Sequence, residues 1–96
     1  MKLSNQQKRQ LRSLANSLSP IIQIGKDGLT ENVIHTIEQG LRAHELIKVH
    51  VHSTSPQSAK ELAETVAHQT ASSLVMCVGS NITLYRPSEK RKIELD

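Results

Sequence analysis

The chain has 96 residues, with no tryptophan, no phenylalanine and one tyrosine, Tyr85. That poverty excludes sheet modules that stack successive bases on several aromatics. One cysteine, Cys77, excludes an internal disulfide and a four-cysteine zinc module. No apolar run approaches the roughly 20 residues that a membrane helix needs. The opening MKLSNQQKRQ is polar from its fourth residue and does not read as a secretory signal. A reducing, cytoplasmic setting without a membrane partner is expected. The length suits one domain, large enough to bury about two-thirds of its unfolded surface without staples.

The net charge of +3 is unevenly spread. Residues 1–30 hold Lys2, Lys8, Arg9, Arg12 and Lys26 against Asp27 alone. Residues 31–85 hold Arg42, Lys48 and Lys60 against five glutamates, and the stretch from Arg86 is again net positive. A positive end on a nearly neutral body suits a polyanion partner, although a merely solvated helix face has the same composition.

Ser4 and Gln7 form a capping-box signature ahead of Leu11, Leu14, Ala15 and Leu18, the apolar stripe of a first helix ended by Pro20. Lys8 borders this stripe, while Arg9 and Arg12 lie on its flank. Ile21, Ile22 and Ile24 predict a short strand. A second helix begins at the N-cap Thr30, with apolar positions Val33, Ile34, Ile37 and Leu41 and with Gly40 inside the pattern. Leu46 to His52 alternates: Ile47, Val49 and Val51 face one way, Lys48, His50 and His52 the other. Ser55-Pro56 reads as the start of a third helix through Ala59, Leu62, Ala63 and Val66. Leu74–Val78 reads as a central strand, and Ile82–Tyr85 as its hairpin partner across Gly79-Ser80-Asn81. The expected fold is α/β in the order α-β-α-β-α-β-β, a mixed four-stranded sheet packed with three helices. Residues 1–87 form this domain, and 88–96 read as a charged, mobile tail.

Gly25-Lys26-Asp27-Gly28 lies between a strand and a helix start. Two glycines permit positive φ and a close approach, and the following amides, the helix dipole and Lys26 favour an anion. Such a GxxG loop can grip backbone phosphates without reading bases, or it can be an ordinary turn. Asp27 opposes phosphate unless it faces away. No Walker A motif and no dinucleotide fingerprint is present, which disfavours nucleotide hydrolysis.

Leu11-Arg12-Ser13-Leu14-Ala15, the run Pro20 to Thr30 with its GxxG loop, Glu45-Leu46-Ile47-Lys48-Val49 and Leu84-Tyr85-Arg86 together resemble the CRM domain (chloroplast RNA splicing and ribosome maturation), in its single-domain bacterial YhbY-type form, over residues 3–87. The resemblance implies a fold similar to the C-terminal domain of translation initiation factor three. It also implies binding of structured RNA: precursors of the large (50S) ribosomal subunit for bacterial members, introns for plant relatives. By position it implies RNA contacts at Gly25, Lys26, Asp27 and Gly28 and on the first helix at Lys8, Arg9 and Arg12. Lys48 and Arg86 are added as basic residues on the exposed strand face and at the end of the last strand. Asp27 and Ser80 depart from the family, which commonly has a small or neutral residue and a basic residue there.

Other chemistries are weakly signalled. His50 and His52 share a strand face at a spacing one metal could accept, but an exposed polar face, or one that touches RNA as the imidazoles charge, fits better. Cys77, in the most apolar run, reads as a buried, inert thiol. Tyr85 suits either base stacking or packing. No catalytic arrangement stands out, and nothing asks for a cofactor or a small-molecule substrate. The competing class is a protein-interaction module whose positive end meets an acidic partner.

Overall fold

The computed structural model describes residues 3–88, 93 and 95. Its elements run α1 (Asn5–Ala15), β1 (Ile22–Ile24), α2 (Glu31–His44), β2 (Leu46–Val51), α3 (Ala59–Gln69), β3 (Ser73–Val78) and β4 (Asn81–Tyr85). This is the expected α-β-α-β-α-β-β order. The sheet is ordered β1-β2-β4-β3, with β1 parallel to β2 and with β4 antiparallel to both β2 and β3. Two helical crossovers therefore join parallel strands, and β4 inserts between the second pair.

The alternation of β2 divides the molecule into layers. Ile47, Val49 and Val51 join Ile22, Ile24, Ile82 and Leu84 under α2 and α3, in a core completed by Ile37, Leu41, Leu62 and Val66. On the other face Leu46, Val75 and Tyr85 pack against Leu3, Leu11 and Ala15 at α1. Gly40 lets α2 approach closely, because a Cβ there would lie 3.3 Å from Ile22 Cδ1 and 3.4 Å from Ile21 Cδ1.

Four expectations are corrected. Helix α1 stops at Ala15, well before Pro20, where Asn16 caps it and the Ser17 hydroxyl donates to the Leu14 carbonyl. Leu14 and Leu18 are consequently exposed rather than part of a buried stripe. The third helix begins at Ser58, whose capping box with Glu61 outcompetes the Ser55-Pro56 pair. The apolar run Leu74–Val78 is an edge strand, and Ile82–Tyr85 is the buried interior one, because β4 gains partners on both sides. Cys77, on that edge strand, is accordingly only half-buried against the larger core.

Glu45 joins α2 to β2 with φ +65° and a fully buried side chain. Its carboxylate accepts from the Ser88 amide and hydroxyl, both at 2.6 Å, and from the Ile93 amide at 2.7 Å. Of residues 88–96, the described Ile93 and Leu95 pack against the α1 core. Replacing one carboxylate oxygen by an NH2 group would set donor against donor. Glu45→Gln is expected to lower stability by about 2 kcal/mol in urea unfolding followed by circular dichroism. A parental midpoint would show that the carboxylate contributes little.

Candidate functional site

The GxxG loop closes as a turn, with the Gly28 amide donating to the Gly25 carbonyl at 3.0 Å. Lys26 and Asp27 stand exposed at its tip. The two glycines have different reasons to be there. Gly28 takes φ +69° and is buried, and a Cβ on it would lie 3.2 Å from Pro56 Cγ. Gly25 does not adopt positive φ, contrary to expectation, and the space its Cβ would enter is open. Pro56 thus packs behind the loop instead of opening α3.

Thr30 caps α2 by accepting from the Val33 amide at 3.2 Å. The amides of Glu31 and Asn32 have no partner within the helix and stand free at its start, just after the loop in the chain. Glu31 in the first turn and Asp27 at the loop tip set two carboxylates near the same donors. Lys26 is the one cationic side chain of the loop set against them. The sequence reading weighed Asp27 but not Glu31.

Register locates the remaining basic residues. Ile24 pairs with Val51, whereas Leu46 pairs with Tyr85. Arg86 and the GxxG loop therefore lie at opposite ends of the sheet, about 17 Å apart along β2. The Arg86 guanidinium donates to the Thr70 carbonyl at 2.7 Å, closing the C-terminal end of α3. The sheet does not bring it to the loop. Lys48 is half-buried on the face shared with α1, level with Thr83. Arg9 and Arg12 are exposed on α1 and Lys8 is half-buried. Lys8 and Arg12 lie on the opposite side of the Leu11/Ala15 stripe from Leu14.

Helix α1 covers only the Leu46–Tyr85 end of its face. The end nearer the loop carries a row set by register: Gln23 beside His50, His50 beside Asn81, and Asn81 beside Val78. The His50 Nδ1–H donates to Asn81 Oδ1 at 3.0 Å, and the His52 Nε2–H donates to Gln23 Oε1. The two imidazoles are perpendicular, with centroids 4.8 Å apart. Among the described residues no three His, Cys, Asp or Glu side chains converge as metal ligands would. Tyr85 is buried and cannot meet a base. Sequence reading missed Gln23, Asn81 and Val78, because only strand register sets them beside the histidines.

Away from this face, a mainly apolar cavity of about 510 Å³ lies between the end of α1 and the starts of β1 and β2, with Leu14, Leu18 and Ile21 in its lining. No helix among the described residues is long and apolar enough to cross a membrane.

A family model described as the CRS1 / YhbY (CRM) domain matches residues 3–86. A protein of Haemophilus influenzae called "RNA-binding protein" is 40% identical over 93 residues, covering 97% of this chain and 94% of that one. "Probable RNA-binding protein YqeI" of Bacillus subtilis is 43% identical over 94 residues, covering 97% and 98%. The solution structure of a hypothetical protein from Staphylococcus aureus superposes with a TM-score of 0.82 at 50% identity, covering 99% of this chain and all of that one.

The contrast between the two glycines is measurable. Gly28→Ala is expected to cost about 1–2 kcal/mol through strain at positive φ and the Pro56 contact. Gly25→Ala should stay within about 0.5 kcal/mol of the parent. Equal losses in denaturant unfolding would contradict the assignment.

Proposed function

The chain belongs to the CRS1 / YhbY (CRM) domain family, and on that premise we propose that it is a non-enzymatic, cytoplasmic protein that binds structured ribosomal RNA in precursors of the large (50S) ribosomal subunit and assists their assembly. The observation that carries the reading is the loop tip. Lys26 stands exposed in the loop that leaves β1 at the end of the sheet opposite Leu46–Tyr85, next to a glycine with empty space where a side chain would stand and ahead of a helix start with unpaired amides. A phosphate can approach such a backbone closely. The names of the relatives, with matches covering nearly all of both chains, point to RNA rather than another polyanion.

In this reading Lys26, Lys48, Lys8, Arg9 and Arg12 contact phosphates, and Asp27 turns away from the nucleic acid. Arg86 stays outside the interface, because its guanidinium is engaged at the end of α3. Affinity then comes mainly from charge and falls steeply with salt.

Lys26→Ala should weaken binding to different structured RNAs by a similar factor and reduce the salt slope by about one contact. Salt-series titrations with two unrelated rRNA fragments test this. A loss confined to one sequence would rule out a phosphate anchor.

One observation favours a second reading, a module that docks on a ribosomal protein. Leu14, Leu18 and Ile21, three of the four exposed large hydrophobics among the described residues, gather at one cavity. Co-purification with particle proteins that survives complete RNA digestion would support it over direct RNA contact.

A further inference from the structure

The α1-free end of the sheet carries more than cations. Its row Gln23–His50–Asn81–Val78 spans all four strands, about 14 Å across, and no carboxylate belongs to it. Val78 is 64% exposed, the most exposed large hydrophobic residue described and the one such residue that does not line the cavity beside α1. At the end of the polar row it offers one apolar contact to a flat ring.

The polar members are held in set orientations. His50 and His52 donate to the side-chain oxygens of Asn81 and Gln23. These bonds use the amide oxygens, and among the described residues no hydrogen bond engages the NH2 group of Asn81 or Gln23. Two perpendicular imidazoles also make a corner, in which a flat ring can lie face-on to one and edge-on to the other. With Tyr85 buried, these imidazoles are the planar groups this face offers. Unengaged amide donors, planar rings, one exposed apolar side chain and the nearby cations Lys48 and Lys26 match an unpaired nucleotide: base on the row, phosphate toward the loop.

We propose that Gln23, His50, His52, Asn81 and Val78 seat an unpaired nucleotide of the bound RNA, by stacking and by amide hydrogen bonds to acceptors on the base edge. The proposal rests on the RNA-binding reading and adds to it a preference for single-stranded elements within structured RNA. A protein strand is a poorer occupant, because strand addition needs the free backbone of an edge such as β1 or β3, and this surface is the sheet's face.

The test compares the full chain and its variants on two RNAs, a hairpin with an unpaired adenosine loop and a blunt duplex of the same stem. His52→Ala and Val78→Ser are expected to weaken hairpin binding roughly tenfold each and to leave duplex binding unchanged. His52→Phe should keep most of the hairpin affinity, since it preserves the planar ring and loses only the ring nitrogens. Val78 is exposed at the end of an edge strand, so its variant folds independently of the result at His52. Imidazole ring-proton shifts of His50 and His52 in the parent, moved by the hairpin and not by the duplex, give a readout free of substitution.

Equal losses on both RNAs, no loss on the hairpin, or recovery by His52→Lys but not by His52→Phe would overturn the seat. If Lys26→Ala keeps its uniform effect while the row variants bind normally, only the seat fails. If the parent binds neither RNA at physiological salt, the RNA-binding reading fails with it.

Discussion

A strand gives alternate residues to opposite faces, and in this protein that rule acts most heavily on β2. It pairs with β1 on one side and β4 on the other, so its register determines where every other strand stands. Ile47, Val49 and Val51 commit one face to the core under α2 and α3. Leu46, Lys48 and His50 are then obliged to face the other way. Slipping β2 by one residue would bury Lys48 and His50 and expose Val49, at a cost no local interaction could offset. The polar half-face beside the loop is thus a consequence of core formation on the opposite side.

The two ends of the sheet have separate tasks. At one end Glu45 gathers hydrogen bonds from Ser88 and Ile93, the Arg86 amide donates to the Glu45 carbonyl, and the Arg86 guanidinium closes α3. Its carboxylate is fully buried, and its backbone occupies a conformation unusual for a residue with a side chain. That combination is stable because several donors converge on one charged acceptor. At the other end the GxxG loop exposes Lys26 and keeps its backbone open on the Gly25 side, while Gly28 packs on Pro56. Structural charge sits at the first end and available charge at the second. This separation explains why Arg86, basic and terminal in its strand, does not join Lys26.

Much of the fold was legible from local pattern. The Ser4–Gln7 capping box, the Thr30 cap, the alternation of Leu46–Val51 and the hairpin across Gly79-Ser80 all correspond to observed features. The errors share a cause. Ser55-Pro56 and Ser58 are both plausible helix starts, and the choice fell to Ser58 when Glu61 completed its box and Pro56 packed on Gly28. Leu74–Val78 is more continuously apolar than Ile82–Tyr85 yet lies at the edge, since hydrophobicity does not encode which strand is inserted between two others.

For the candidate site, the available chemistry is written locally in the chain: it is basic and aromatic-poor, with a GxxG loop between a strand and a helix, and imidazoles and a lysine on one face of an alternating strand. Spacing within one element carries that information, because helix and strand periods are local. Only the tertiary structure decided which groups meet. It put Gln23, His50, Asn81 and Val78 in one row, sent Arg86 to the far end, buried Tyr85 and left Val78 in solvent. Those outcomes depend on strand order and register, which are set when the whole core closes and are written in no single segment of the chain.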